Sequence, residues 1–167
     1  MTDIPGVTVT PLESFADERG SLSEIARAHE IDVVFAQANH SHSRAGVLRG
    51  LHYHRKQTDL WYLVTGRAQV CLVDLRAREG DPRVATFVID GALPSRVVIP
   101  PGVAHGYLAL TDIDILYLTD QEWDPDDEHG LAWNDPTLGI DWAIADPSLS
   151  ERDRSNPRFN WRDVPAF

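Results

Sequence analysis

Between residues 60 and 120 the hydrophobic positions fall into short runs that are separated by Gly, Pro and polar residues. The runs are rich in Val, Ile, Leu and aromatic residues and about five to eight residues long, as β-strands usually are. They are "LWYLVTG", "AQVCLVDLR", "VATFVID", "SRVVIPPG", "HGYLAL" and "DIDILYLTD". Their spacing predicts an all-β fold, either a sandwich or a small barrel.

Helical patterns are short and lie outside this strand-rich region. "SEIARAHE", residues 23–30, predicts a helical turn or a short helix. "DPSLSERDR", residues 146–154, places Ser148 or Ser150 as an N-cap before a polar helical segment. The last twenty or so residues are rich in Pro, Asn and Arg, which predicts irregular chain wrapped around the sheets.

The 167 residues match the length of one ordinary domain, so we expect a single domain over 1–167. Hydrophobic residues make up 43%, charged residues 25%, and no apolar run approaches the roughly 20 residues of a membrane helix. Without a cleavable apolar segment after Met1, the expected location is the cytoplasm. The single cysteine, Cys71, stands among Val and Leu and is expected to be a small buried hydrophobe.

The net charge restricts the classes of ligand that the protein is expected to bind. A formal net charge of −11 argues against broad binding to nucleic acids or anionic membranes, because both depend on a basic surface. An anionic small-molecule substrate stays compatible with this charge, provided that a few arginines converge locally.

The richest stretch, residues 46–66, reads "GVLRGLHYHRKQTDLWYLVTG". His52 and His54 are one residue apart, and on a strand such a pair points to the same face. Asp59 follows, with a glycine at each end of the stretch. These residues suit either proton transfer or metal binding.

This stretch resembles the first sequence motif of the cupin superfamily, with Asp where Glu is usual, and "PPGVAHGYLA" resembles the second. Cupins are double-sheet jelly rolls. In metal-binding cupins the matching positions supply three histidines and a carboxylate, which suit Zn, Fe, Mn or Ni. The resemblance implies the ligands His52, His54, Asp59 and His105.

A narrower resemblance covers nearly the whole chain. "FADERGSLSE", "FAQANHSHSRAGVLRGLHY", "VDLR", "IPPGVAHGYLAL", "WDPDDEHGLAWNDPTLGIDW" and "LSERDRSNP" line up in order with the dTDP-4-dehydrorhamnose 3,5-epimerase family, a branch of the cupins. Six ordered blocks are a highly specific signal. The resemblance implies an all-β cupin double-sheet jelly roll with short peripheral helices.

The same resemblance implies roles for individual residues. His52 matches the base that removes a proton beside the sugar's ketone, and Asp153 matches the aspartate that orients it. It also implies a homodimer in which an exchanged N-terminal segment brings two of the substrate contacts, Arg19 and Glu24, to the partner. The implied contacts with nucleotide or phosphate are Arg19, Glu24, Gln37, Asn39 and Arg49.

The chemistry explains these residue types. A hydrogen beside a ketone is acidic because the charge spreads onto oxygen, so catalysis needs a base, an electrophile at that oxygen and an acid on the opposite face. His52 suits the base, because unperturbed histidine titrates near pH ~6.5. His105 can lie near the same carbon or oxygen. The expected reaction is cofactor-free epimerisation of a dTDP-4-keto-6-deoxy sugar at C3, C5 or both.

Two usual family positions differ in this sequence. Asp59 stands where a lysine stabilises the enolate oxygen, and "QEWDP" offers Glu122 and Trp123 where a tyrosine is the acid. The acidic run 122–128 is typical of a solvated turn, which makes Glu122 a weak substitute.

These departures leave two alternatives to the epimerase. One is a metal-dependent cupin isomerase or oxygenase, in which a divalent ion serves as the missing Lewis acid. If His52 bound that ion and Asp153 together, it would have no nitrogen left to act as the base. The other alternative is a sugar-nucleotide binding protein without catalytic activity.

Overall fold

The computed structural model describes residues 2–77 and 79–167, and its helices and strands lie within those two ranges. Besides one helix, α1 (Glu151–Ser155), and one 3₁₀ turn (Pro125–Asp127), the regular structure of these residues consists of strands. The strands are β1 (Thr8–Pro11), β2 (Ser14–Asp17), β3 (Gly20–Ser23), β4 (Gln37–Ser43), β5 (Leu48–Tyr53), β6 (Asp59–Thr65), β7 (Arg67–Asp74), β8 (Arg83–Asp90), β9 (Ser95–Ile99), β10 (Val103–Ala109), β11 (Ile113–Thr119) and β12 (His129–Gly130).

Ten of these strands form two antiparallel five-stranded sheets. The first sheet has the order β1-β9-β6-β11-β4, the second has the order β12-β5-β10-β7-β8, and β2 and β3 make a separate hairpin. Each of the six strands predicted from the hydrophobic runs is present. The predicted all-β double-sheet jelly roll is confirmed. Within the part of the chain that is described, no helix is long and apolar enough to cross a membrane.

Successive side chains on a strand point to opposite faces, so those of the second sheet belong to two hydrophobic clusters. On β7, Val70 and Leu72 join the core between the sheets, together with residues of β6 and β11. The next residues along β7, Cys71 and Val73, belong to a second cluster with Trp142 and other residues of the C-terminal segment. The long C-terminal chain therefore covers the outer face of this sheet. Cys71 is fully buried as predicted, and burial raises the pKa of its thiol to about 12.

Of the two alternatives predicted for residues 23–30, a helical turn or a short helix, the structure has a turn and no helix. Only a single turn forms there, where the amide of Glu30 donates to the carbonyl of Arg27. Arg96 of the first sheet binds both the carbonyl of Ile25 and the carboxylate of Glu30, and these contacts tie the segment to the sheet. The N-cap prediction near the C-terminus is confirmed, because the Ser150 side chain accepts a hydrogen bond from the third residue beyond it at the start of α1.

A bulge in β5 shapes the site. His52 pairs with His105 but Arg49 pairs with Tyr107, so two residues of β5 between these pairs face one of β10. The bulge turns Arg49 and His52 to the same side, although alternation alone would separate them. Gly50 lies inside it at φ +131°, and a Cβ there would lie 2.6 Å from the Cα of Gly106. Only glycine allows the two backbones to approach so closely.

Candidate active site

A cavity of about 320 Å³ opens between the two sheets and borders the core. The second sheet contributes His52 and His105, whereas the first sheet contributes Asp59 and Tyr117. A ligand inside would therefore meet different groups on its two faces. The lining is completed by Gln37, Asn39, Ser41, Arg49, His54, Gln57, Trp61, Tyr107, Ile115, Thr119, Trp123 and Glu128.

His52 lines the cavity and bonds to Asp153, which is buried and not part of the lining. The Nε2 atom of His52 lies 2.6 Å from Oδ1 of Asp153, although the two residues are 101 positions apart. A carboxylate accepts hydrogen bonds, so Nε2 carries the proton and Nδ1 remains the basic nitrogen of the neutral ring. The sequence prediction that places Asp153 against His52 therefore matches the geometry.

The start of helix α1 holds Asp153 in place. The amide of Asp153 donates to Oγ of Ser150 at 3.0 Å, and the side chain is buried. Burial raises the pKa of the Asp153 carboxyl, but hydrogen bonds from His52 and Ser150 outweigh it and leave the pKa below its ordinary value. The carboxylate is therefore ionised at neutral pH and can stabilise a positively charged His52.

Three other buried groups meet beside this pair. His54, Asp59 and His105 each offer a ligand atom, and these atoms lie within 4.8 Å of one another. Burial lowers the pKa of His54, and it lowers that of His105 to about 4 with a smaller effect from His52. Burial also raises the pKa of Asp59 to about 6. Both imidazoles are thus neutral at neutral pH.

The four-ligand prediction needs correction at one position. The group that the structure brings together contains His54, Asp59 and His105 but not His52. The physical reason is distance, because His52 bonds to Asp153 through Nε2 and offers no ring nitrogen within 4.8 Å of all three ligand atoms. The predicted conflict between metal binding and base catalysis at His52 does not arise in this arrangement.

The predicted substrate contacts divide into two sets. Gln37, Asn39 and Arg49 line the cavity. Arg49 is exposed at its edge, where its Nε donates to Oγ of Ser43 at 3.0 Å. Arg19 pairs with Asp17 at the tip of the β2–β3 hairpin, and Glu24 pairs with Arg27.

Arg19 and Glu24 therefore lie outside the cavity of their own chain. A contribution to the cavity of a second chain, which the family resemblance implies, is compatible with this placement.

Sequence reasoning missed Asp127, which lies in the acidic run expected to be solvated. Its carboxylate is buried and accepts hydrogen bonds from the amides of Arg55 and Lys56, at 2.9 and 3.0 Å. Its carbonyl oxygen accepts from Nδ1 of His54 at 3.0 Å. Asp127 thus fixes the loop after β5 and the ring of His54. The available signal was the capping pattern "DPDD", in which Asp124 caps the 3₁₀ turn.

Of the two residues at the usual position of the acid, Trp123 and Glu122, only the indole reaches the cavity. Trp123 lines the cavity, and its indole donates to Glu128 at 2.7 Å. Glu122 is exposed and borders a separate surface pocket. Sequence reasoning overlooked two phenols in the cavity, Tyr107 and Tyr117, because strand tyrosines are more often packing residues.

Comparison with known proteins extends these observations. The model of the dTDP-4-dehydrorhamnose 3,5-epimerase family matches residues 1–160. The spore coat polysaccharide biosynthesis protein SpsL of Bacillus subtilis is 42% identical over 83% of this chain and 96% of its own.

Two solved structures share the fold. The rmlC epimerase of Mycobacterium tuberculosis has a TM-score of 0.90 at 32% identity, over 98% of this chain and 88% of that one. RmlC of Legionella pneumophila, a dTDP-6-deoxy-D-glucose-3,5-epimerase in complex with dTDP-4-keto-L-rhamnose, has a TM-score of 0.89 at 28% identity, over 99% and 96%.

The jelly roll holds a histidine–carboxylate pair of the kind that can move protons, and the family match makes the protein an isomerase. The family match covers all but the last seven of the 167 residues. The chain belongs to the dTDP-4-dehydrorhamnose 3,5-epimerase family. It is a nucleotide-sugar epimerase.

Proposed function

We propose that the chain epimerises a dTDP-4-keto-6-deoxy sugar at C3, C5 or both, with 1–167 acting as one domain. The observation that carries this proposal is the 2.6 Å bond between His52 and Asp153 at the cavity wall. His52 removes the proton beside the ketone, and Asp153 holds the ring and stabilises the resulting imidazolium. The ketone itself takes up the negative charge, so no organic cofactor is needed for this step.

Return of the proton to the opposite face needs an acid on the opposite sheet. Tyr117 meets this requirement because it lies on β11 of the first sheet, whereas His52 lies on β5 of the second. Burial raises the pKa of Tyr117, so its phenol keeps its proton at neutral pH. The hydroxyl of Tyr107 already contacts Oγ of Ser43 at 3.1 Å, which makes Tyr117 the better donor.

Charge and position support a nucleotide diphosphate at the mouth of the cavity. Arg49 presents a guanidinium there, which can bind a phosphate through two parallel hydrogen bonds. Gln37 and Asn39 lie on β4, the edge strand of the first sheet, and offer amide groups to the rest of the nucleotide. The dTDP-linked sugar in the Legionella relative supports the same ligand class.

The substrate proposal predicts turnover of dTDP-4-keto-6-deoxyglucose. Products would be reduced with borohydride and analysed by NMR, because the resulting hexoses show which of C3 and C5 has been inverted. The matched control is dTDP-6-deoxyglucose, which lacks the ketone and should stay unchanged, since its ring hydrogens are not acidic. Tight binding without inversion, across a panel of 4-keto sugar nucleotides, would contradict the epimerase and favour the binding-protein alternative.

We also propose that the working unit is a homodimer formed through the β2–β3 hairpin. The residues of both strands are exposed except Ser23, and Phe15 and Leu22 are exposed by 49% and 61%. Isolated two-stranded hairpins are marginal in water, so a partner that covers these apolar side chains would stabilise this one. Such an exchange would bring Arg19 and Glu24 towards the partner's cavity.

A complementation experiment tests this assembly. His52→Ala and Arg19→Ala are each expected to be impaired alone. After mixing and subunit exchange at equal amounts, about a quarter of wild-type activity should return, because half of the dimers are mixed and each contains one intact cavity. Sedimentation of the wild type as a fully active monomer, or failure of exchanged dimers to regain activity, would contradict the proposal.

A further inference from the structure

The buried end of the cavity is formed by three residues that can accept hydrogen bonds. His54, Asp59 and His105 meet there, and a polar atom of each lies within 4.8 Å of those of the other two. The three residues are exposed by only 8%, 3% and 6%. We infer that this group, the acceptor cluster, binds a protonated amino group of the sugar, so that the preferred substrate is a 3-amino-4-keto-6-deoxy sugar nucleotide.

Backbone carbonyls select the tautomer of both histidines. Nδ1 of His54 lies 3.0 Å from the carbonyl oxygen of Asp127, and Nδ1 of His105 lies 3.0 Å from that of Val103. A carbonyl oxygen can only accept, so Nδ1 is the protonated nitrogen in each neutral ring. Nε2 of both rings therefore keeps its lone pair and can only accept a hydrogen bond.

The described side chains leave part of this accepting capacity unused. The Asp59 carboxylate accepts from Gln57 at 3.1 Å and from the side chain of Trp61, but a carboxylate has about four lone-pair sites. Nε2 of His54 lies 4.0 Å from Oδ2 of Asp59, beyond hydrogen-bond distance. Among the described residues, no Lys or Arg forms a salt bridge with Asp59. A ligand that brings donors and a positive charge would satisfy the acceptor cluster.

An ammonium group matches both the number and the spacing of these acceptors. It carries one N–H donor for each residue of the acceptor cluster, whereas a hydroxyl has a single hydrogen to donate. Acceptors that surround a tetrahedral nitrogen at about 2.7–2.9 Å lie roughly 4.4–4.7 Å apart. The 4.0 Å between His54 and Asp59 and the 4.8 Å limit on the whole group bracket this spacing.

The distribution of charge along the cavity favours the same class of ligand. Arg49 presents a guanidinium at the mouth, where it can bind a phosphate. Asp59 places a carboxylate at the buried end, and the other carboxylate of the lining, Glu128, is already bound by Arg152 at 2.8 Å. The complementary ligand is negative at one end and positive at the other, as an amino sugar nucleotide is.

The position of the amine on the sugar rests on the proposed function. His105 pairs with His52 on the neighbouring strand, so a group held by the acceptor cluster lies beside the base. C3 and C5 flank the ketone, and C5 carries the methyl group, which leaves C3 for the amine. The ammonium would then lie one carbon from the ketone, where its charge stabilises the enolate that forms when His52 removes a proton.

A comparison of two nucleotide sugars tests the substrate class. The kcat/KM for dTDP-3-amino-4-keto-3,6-dideoxyglucose should exceed that for dTDP-4-keto-6-deoxyglucose by about 10- to 10²-fold, the usual effect of a hydrogen bond to a charged group. Asp59→Asn keeps the size of the side chain but removes its charge, and it should reduce this preference about tenfold or more. Glu128→Gln is the matched control, which should keep the preference because Arg152 already binds that carboxylate.

Binding measurements test the inference without turnover. In calorimetry, dTDP-3-amino-3,6-dideoxyglucose, which lacks the ketone, should bind about tenfold or more tightly than dTDP-6-deoxyglucose. Asp59→Asn should remove most of that difference. Wild-type protein that binds the two ligands equally would overturn the inference even if the variant fails to fold. An undiminished preference in folded Asp59→Asn would overturn it as well.

Failure of the proposed function would give a different result. Tighter binding of the amino sugar, without inversion of either 4-keto sugar, would contradict the epimerase and leave the amine site standing. Inversion of dTDP-4-keto-6-deoxyglucose with a kcat/KM equal to or above that of the amino sugar would overturn the inference, while the His52–Asp153 proposal would stand.

Discussion

His52→Ala should lower kcat for epimerisation by about 10²- to 10⁴-fold, the usual contribution of a positioned general base. The substitution removes the ring that the structure joins to Asp153, at 2.6 Å. Substrate affinity should change little, because Arg49 and the amides of β4 do not depend on this ring. NMR assays of kcat and KM on quenched reactions would check both expectations. Loss of activity that comes entirely from a raised KM would contradict a role in proton removal.

Asp153→Asn separates orientation from proton removal at the same pair. The amide preserves size but can present its NH₂ group to Nε2, which favours the wrong tautomer and withdraws the charge that stabilises imidazolium. We expect a fall in kcat of about 10²-fold or more, smaller than or equal to that of His52→Ala. The double variant should be no worse than His52→Ala, because both residues serve one step. Additive losses would mean that Asp153 acts elsewhere.

The second large effect is expected at Tyr117, which lines the cavity from the sheet opposite that of His52. Tyr117→Phe removes only the hydroxyl, so proton removal should persist while return to the opposite face slows by about 10²-fold or more. Exchange of the substrate hydrogen with solvent should then exceed epimerisation. Tyr107→Phe is the matched control, since that hydroxyl contacts Ser43, and it should keep the wild-type ratio. Equal loss of exchange and inversion in Tyr117→Phe would contradict its role as the acid.

The strands could be predicted from the sequence because short apolar runs and the alternation of side chains depend on neighbouring residues. The site could be predicted less completely, because its contacts join residues that are far apart in the sequence. Nothing in the hydrophobic pattern relates His52 to Asp153, and only the order of family motifs suggested their pairing. Strict alternation would separate Arg49 from His52, but a bulge around Gly50 brings them together through a close approach to Gly106 that the sequence does not display.

Burial explains the remaining differences between the sequence predictions and the structure. Asp127 was expected to be exposed because its neighbours are acidic. It is buried instead, where two backbone amides and the His54 ring donate hydrogen bonds to it. The motif spacing implied four candidate metal ligands but could not show which hydrogen bonds their side chains make. Among the described residues, His52 bonds to Asp153 through Nε2, and the ligand atoms that lie close together are those of His54, Asp59 and His105.

Solvent exchange at the substrate carbon tests the central claim most directly. In deuterium oxide, wild-type protein incubated with dTDP-4-keto-6-deoxyglucose should incorporate deuterium at C3, C5 or both, because a proton removed by His52 exchanges with solvent before it returns. His52→Ala should reduce the incorporation to the rate without enzyme. Incorporation by His52→Ala at the wild-type rate, or none by a wild type that inverts the sugar, would contradict proton removal by His52.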